Sequence, residues 1–185
     1  MPSPLTKTLW YPMRVTYNRE LHVKESLDNL GIENFVPMRS EVVKSGDKTM
    51  KMRVPAIHNL IFVHTSRERL NDLKSHHAAF APMRYIMKRK KQELSTEERI
   101  LVVPDVQMEN FIRVASVDDD SVIFLDYNEQ FLGKEGCRVR ITGGKFGGVE
   151  GTIRRIHHNK HVVVQIEGLA AVAIVFVPAC MLEEI

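Results

Sequence analysis

The chain has 185 residues, 44% of them hydrophobic, with a formal net charge of +3, so it can bury the core of one ordinary domain or two small ones. Two cysteines are too few for a disulfide framework, and no run approaches the roughly 20 apolar residues of a membrane span. With no apolar export signal in MPSPLTKTLWYPM, the expectation is a soluble protein of the reducing cytoplasm.

Residues 10–17 (WYPMRVTY) have the aromatic and β-branched content of a strand, and Pro12 implies an unpaired donor or a sheet edge there. Asn18 is placed to cap a helix on which Leu21, Val23, Leu27 and Leu30 recur at near-helical spacing until Gly31 ends it. Residues 34–38 (NFVPM) read as a short strand, and the Ser45-Gly46-Asp47 turn within a charged segment suggests a hairpin. Residues 57–63 (IHNLIFV) are the most apolar strand candidate of this half and are expected to be central. A second helix over 66–76 has Ser66 as its N-cap and Leu70 and Leu73 on one face. Residues 83–87 and 100–103 read as extended. Pro104 opens a third helix over 105–115, with Met108, Phe111, Ile112 and Ala115 on one face. The resulting order, β-α-β-β-β-α-β-β-α, is that of an α+β domain with helices covering an antiparallel sheet.

Basic residues cluster at 44–53, at 84–91, and at Arg138, Arg140, Lys145, Arg154 and Arg155, while Asp118, Asp119 and Asp120 form an acidic patch between the halves. Such clusters are either solvated surface or phosphate contacts, the latter giving salt-dependent binding.

The segment 136–156 constrains backbone geometry most closely. Val139 and Ile141 alternate with Arg138 and Arg140, as on a half-buried cationic strand, and Gly143, Gly144, Gly147, Gly148 and Gly151 allow a tight turn around Phe146 before a second strand. This resembles the KOW motif of small SH3-like barrels, with Gly151 at the hallmark glycine and Phe146 at the aromatic of the turn. Runs at 161–166 and 172–177, a turn at Glu167 and Gly168, and a closing Met181 and Leu182 complete about five strands. Their β propensity and the glycine-rich turn argue against a helical form of this region. Cys137 and Cys180 are read as small apolar residues of this barrel.

Trp10 and Tyr11, the helix end with Gly31, Ile32, Phe35, Val36 and Pro37, the basic hairpin, residues 59–63 and the KOW-like module together resemble the NusG family over about residues 9–185. Within it, residues 54–64, 104–114 and the C-terminal segment are similar to UpxY-type antiterminators of capsular polysaccharide operons. One departure is His58-Asn59-Leu60 where family members carry Pro-Gly-aromatic; asparagine also tolerates the left-handed region.

The resemblance implies an N-terminal NGN-like domain over 8–117, a linker over 118–133 and a KOW barrel over 134–185. It implies a monomer that binds and does not catalyse, carries no cofactor or metal, and suppresses pausing or termination. Tyr11, Phe35, Pro37 and Ile57 would dock on the clamp helices of the largest RNA polymerase subunit, though each also suits a core. Arg14, Tyr17, Arg19 and His22, with Lys48, Lys51 and Arg53 of the hairpin, would approach non-template DNA or nascent RNA. Ile141, Phe146, Gly148 and Gly151 would form the KOW turn and meet a ribosomal protein or another transcription factor. The alternative is a ribosome-associated or RNA-chaperone protein whose barrel binds structured RNA through its arginines and Lys145.

Other chemistries lack their constellations. His157 and His161 have one zinc-like spacing but no second pair follows. Cys137 has no histidine and carboxylate partners at recognisable positions, and GGKFGG lacks the hydroxyl and the following helix of a phosphate loop.

Overall fold

In the computed structural model, which describes residues 7–45, 48–88, 95, 99–125, 136–156, 158–166 and 168–185, the apolar run at 60–65 is a central strand. Counting from the N-terminus it is β5 (Leu60–Thr65), flanked by β2 (Asn34–Phe35) and β1 (Leu9–Val15), with β6 (Met83–Tyr85) beyond β1. All three pairings are antiparallel. Internal contacts divide the chain into two compact units, Met1–Pro37 with Ile57–Asp105, and Met38–Ala56 with Val106–Ile185.

In the first unit Met13, Val15, Ile61, Phe62 and Val63 are fully buried, as are Val23 and Leu27 of α1 (Glu20–Asn29) and Leu70 and Leu73 of α2 (Arg67–His76). This is the expected α+β architecture: β1 and β5 are near-continuous apolar runs buried on both faces, and the helices bury apolar residues three or four apart. Pro12 is accommodated because β6 reaches only Met13–Val15, leaving it without a ladder partner on that side among the described residues.

Local signals set the helix ends. The Ser66 hydroxyl accepts from the Arg69 N–H at 3.2 Å, and Gly31, at φ 66°, donates to the Asp28 carbonyl to close α1. Ser66→Ala should lower stability by about 1 kcal/mol in denaturant unfolding without changing the m-value.

Several expected boundaries shift. Asn18 does not cap α1, because Tyr17 and Asn18 occupy a left-handed turn and the helix follows Arg19, with no side-chain cap. That turn also ends β1 at Val15. Residues 57–59 form the turn into β5 rather than its first residues, and 100–103 contributes only two isolated bridges, Met87 with Ile100 and Trp10 with Val103.

The second unit holds the hairpin β3 (Met38–Ser45) and β4 (Lys48–Pro55), α3 (Asp105–Ala115) and an antiparallel sheet. The sheet order is β12-β8-β9-β10-β11-β7. Its strands are β7 (Val122–Leu125), β8 (Arg138–Ile141), β9 (Glu150–Ile156), β10 (Asn159–Ile166), β11 (Ala170–Ile174) and β12 (Leu182–Glu184). β7 lies within the stretch expected to be linker; it forms because β11 offers it a ladder from Ala171 to Ile174. The remainder of that stretch, 126–133, lies outside the described residues, as do His157, Glu167 and basic residues 89–91. β11 ends at Ile174, short of the expected 177, and both cysteines are exposed and free rather than apolar strand residues.

Gly151 owes its place to close approach. A Cβ there would sit 2.8 Å from both Val162 Cγ1 and the Val163 carbonyl oxygen of the neighbouring strand. Positive φ is used instead at Gly144 and Gly148, on either side of the Phe146 turn.

Candidate functional site

The most unusual backbone in the first unit joins β1 to α1. Tyr17 has φ 66° and Asn18 φ 51°, and across from them Asn59 has φ 61°. Such a conformation costs a non-glycine residue about 1–2 kcal/mol, least for asparagine. The surroundings hold it. The Val15 N–H donates to the Asn59 carbonyl at 3.0 Å, and the Asn18 N–H to Asn59 Oδ1 at 3.2 Å. The Asn59 N–H donates to Glu20 Oε1 at 3.3 Å. Glu20 is buried in the first turn of α1, and its Oε2 has no hydrogen-bond partner among the described residues. Asn59 therefore does at its turn what the left-handed tolerance of asparagine allows.

This strained turn presents Tyr17, which is 84% exposed. Arg14, Arg19 and His22 are exposed on the adjoining strand end, turn and helix start. An exposed aromatic among cations is suited to stacking on unpaired bases while the cations hold phosphates. Sequence reasoning put Arg84 in a separate basic cluster at 84–91, whereas β6 places it directly opposite Arg14 in the ladder. Like charges so paired repel, and the Arg84 guanidinium turns to the carbonyls of Ala81 and Met83. Only strand register reveals that neighbour.

The hairpin divides its cations. Its register runs unbroken from Met38 opposite Pro55 to Ser45 opposite Lys48. By alternation Lys51 and Arg53 share one face, while Lys48 shares the other with the exposed Val43, Met50 and Met52. Lys51 lies 3.9 Å from Asp118, whose carboxylate also accepts from the Ser40 hydroxyl at 2.8 Å. Asp119 accepts from Lys145 and from Ser121, which holds its carboxyl down at about 2. Asp118 and Asp119, in the stretch expected to be linker, thus pair with the hairpin and with the Phe146 turn respectively.

The four candidate docking residues do not form one apolar surface. Tyr11 pairs with Val63, which also pairs with Asn34, whereas Phe35 pairs with Phe62; one residue of register puts Tyr11 and Phe35 on opposite faces of the sheet. Tyr11 and Pro37 are buried, Phe35 and Ile57 half-buried. The Tyr11 ring meets Tyr85 edge-on at 6.1 Å, Lys74 Nζ lies 4.3 Å from the Tyr85 ring centre, and the Tyr85 hydroxyl donates to Asn71 Oδ1 at 2.8 Å. Burial pushes the Tyr85 phenol up to about 12 and lowers Lys74, which Arg84 depresses further. Tyr85 thus stabilises the fold below its ordinary 10.0, and that stabilisation is lost as pH rises toward about 12. Tyr85→Phe should flatten the pH dependence of stability in that window, as followed by denaturant melts alongside phenolate absorbance.

In the second unit Ile141 and Phe146 are buried, Lys145 Nζ lies 5.0 Å from the Phe146 ring centre, and Gly148 is exposed. α3 is stitched to this turn and its neighbours. Arg113 donates to the Gly147 carbonyl at 2.8 Å, Gln107 to the Gln165 carbonyl at 3.0 Å, and Asn110 Oδ1 accepts from the Glu150 N–H at 3.3 Å. Glu150 in turn pairs with Arg138 at 3.5 Å and Arg140 at 2.7 Å.

Among the described residues no three His, Cys, Asp or Glu side chains converge as a metal site would require. A hydrogen bond with Glu184, then burial, raises the Cys137 thiol, the opposite of an activated nucleophile. No helix among the described residues is long and apolar enough to cross a membrane.

The described residues form a two-unit α+β chain with an exposed aromatic–cationic edge at the β1–α1 turn. The family model described as "Transcription termination factor nusG" matches residues 8–112, and the chain belongs to the NusG family. Membership makes it a transcription elongation or antitermination factor in general, and implies binding to RNA polymerase; factors of this family are generally not enzymes. Among solved structures it is similar to one titled "Domain interaction in Thermotoga maritima NusG", at 17% identity and a TM-score of 0.45, over 97% of this chain and 98% of that one. No curated protein matches.

Proposed function

We propose that the chain is an operon-specific elongation factor that travels with RNA polymerase and suppresses pausing or termination, serving capsular or other surface polysaccharide operons. The family match over residues 8–112 carries this reading; the UpxY-like stretches at 54–64 and 104–114 support the specialisation. Half-buried Phe35 and Ile57 make direct contact with the polymerase clamp helices, and buried Tyr11 and Pro37 act by holding β1 and β2 in place. Tyr17, with Arg14, Arg19 and His22, meets non-template DNA or nascent RNA, and Lys48, Lys51 and Arg53 add phosphate contacts. The N-terminal module of 8–117 and the KOW-like module of 134–185 divide the work. The turn at Gly148 reaches a ribosomal protein or another factor, while Ile141, Phe146 and Gly151 shape it. The protein acts as a cytoplasmic monomer without cofactor or metal.

The RNA-chaperone alternative relies on cations of the C-terminal sheet. Arg138 and Arg140 are paired with Glu150 and Lys145 with Asp119, which favours the polymerase reading. Single-round transcription of a leader with a terminator, using polymerase from the same source, tests it. Added protein should increase read-through, and Phe35→Ala with Ile57→Ala should remove the effect; unchanged read-through with the native chain overturns the proposal.

A further inference from the structure

A strained backbone persists only where its surroundings hold it, and the packing of Tyr17 gives no reason for the strain there. Its φ of 66° lies in the region that favours glycine, yet the side chain is 84% exposed. The ties lie on either side of it. The Thr16 N–H donates to the Pro82 carbonyl at 3.2 Å, and the Asn18 N–H donates to Asn59 Oδ1 at 3.2 Å. Pro82 immediately precedes β6 and Asn59 immediately precedes β5, the two strands that flank β1. The residues on both sides of Tyr17 thus hang from the neighbours of its own strand. The tie to Pro82 runs between main-chain atoms, whereas the tie to Asn18 exists only because residue 59 carries an amide.

Asn59 is itself held through both of its peptide groups. Its carbonyl accepts from the Val15 N–H, and its N–H donates to Glu20 Oε1. Glu20 is 1% exposed, and its Oε2 has no hydrogen-bond partner among the described residues. An unpaired oxygen on a buried carboxyl group is unfavourable, and a hydrocarbon of similar shape would avoid that cost. Packing alone therefore does not account for glutamate at this position; what it adds is the acceptor for Asn59. Glu20 fixes Asn59, Asn59 fixes Asn18, and Asn18 fixes the backbone from which Tyr17 projects. All four residues belong to the first unit.

With Tyr17 read, as above, as the residue that stacks on an unpaired base, we propose that Asn59 and Glu20 are positioning residues of that contact. They act through the backbone rather than by touching the base. Holding the turn in the free chain places the ordering cost on folding, so that the ring meets its base already aimed.

Asn59→Gly removes Oδ1 while leaving the φ of 61° accessible and both main-chain ties in place. In the free full-length chain the Asn18 amide should then exchange faster, with the Val15 amide unchanged. Affinity for the labelled non-template strand of an elongation complex, followed by fluorescence anisotropy at fixed salt, should fall about 2- to 10-fold through loss of one hydrogen bond. In a Tyr17→Ala background the same substitution should cost nothing further, because no ring remains to be positioned. Unchanged exchange at Asn18 overturns the positioning role. So does unchanged affinity where Tyr17→Ala alone weakens binding, or an equal loss in both backgrounds. If Tyr17→Ala binds as tightly as the native chain, the stacking contact itself is absent and its positioning falls with it.

Discussion

Tyr17→Ala should weaken binding to a single-stranded segment in an elongation complex by roughly 5- to 150-fold while leaving the fold intact. The side chain is 84% exposed, so little packing is lost, and its replacement should change stability by no more than about 0.5 kcal/mol. Stacking of one base on an aromatic ring is worth about 1–3 kcal/mol, which sets the expected loss. The φ of 66° at Tyr17 is a cost that both residues bear, so it cancels in the comparison. Leu21, another exposed large apolar residue nearby, supplies the control: Leu21→Ala should leave binding unchanged. Fluorescence anisotropy with a labelled non-template strand separates the two. Equal losses in both variants would reduce Tyr17 to a generic surface residue.

Gly151→Ala should destabilise the second unit by about 1–3 kcal/mol, the range for overpacking. The added carbon would meet Val162 Cγ1 and the Val163 carbonyl oxygen at 2.8 Å, and the carbonyl belongs to a ladder that cannot retreat without breaking pairings. Gly31 provides the contrast, since a Cβ there meets nothing within 4 Å and only its φ of 66° opposes substitution. Gly31→Ala should therefore cost about 1–2 kcal/mol in the first unit, with no effect on the second. Amide exchange resolves which unit loosens in each variant. Loosening of the first unit by Gly151→Ala would mean that the strand contact is not the cause.

Several local signals held, although the cap expected at Asn18 did not, because Tyr17 and Asn18 take up a left-handed turn. The Ser66 cap, the end of α1 at Gly31 and the start of α3 after Pro104 follow from residue type and a few neighbours. Asn59 and Gly151 were recognisable as special positions, but for Gly151 the physical reason lies in the approach of β10, which no local pattern encodes. β7 was missed because four residues at 122–125 carry too little periodicity, and the strand exists through β11. The separation of Tyr11 from Phe35 was hidden for a related reason: the relative face of residues on two strands depends on their register with a third. Arg84 entered the nucleic-acid edge only once β6 was seen beside β1.

The most direct measurement is retention of the native chain on elongation complexes assembled with polymerase from its own source, compared with Phe35→Ala and Ile57→Ala. The expected result is stable retention of the native chain and loss in both variants, with each variant folded by circular dichroism. Failure of the native chain to bind at low salt, with ribosomal RNA captured instead, would contradict the account.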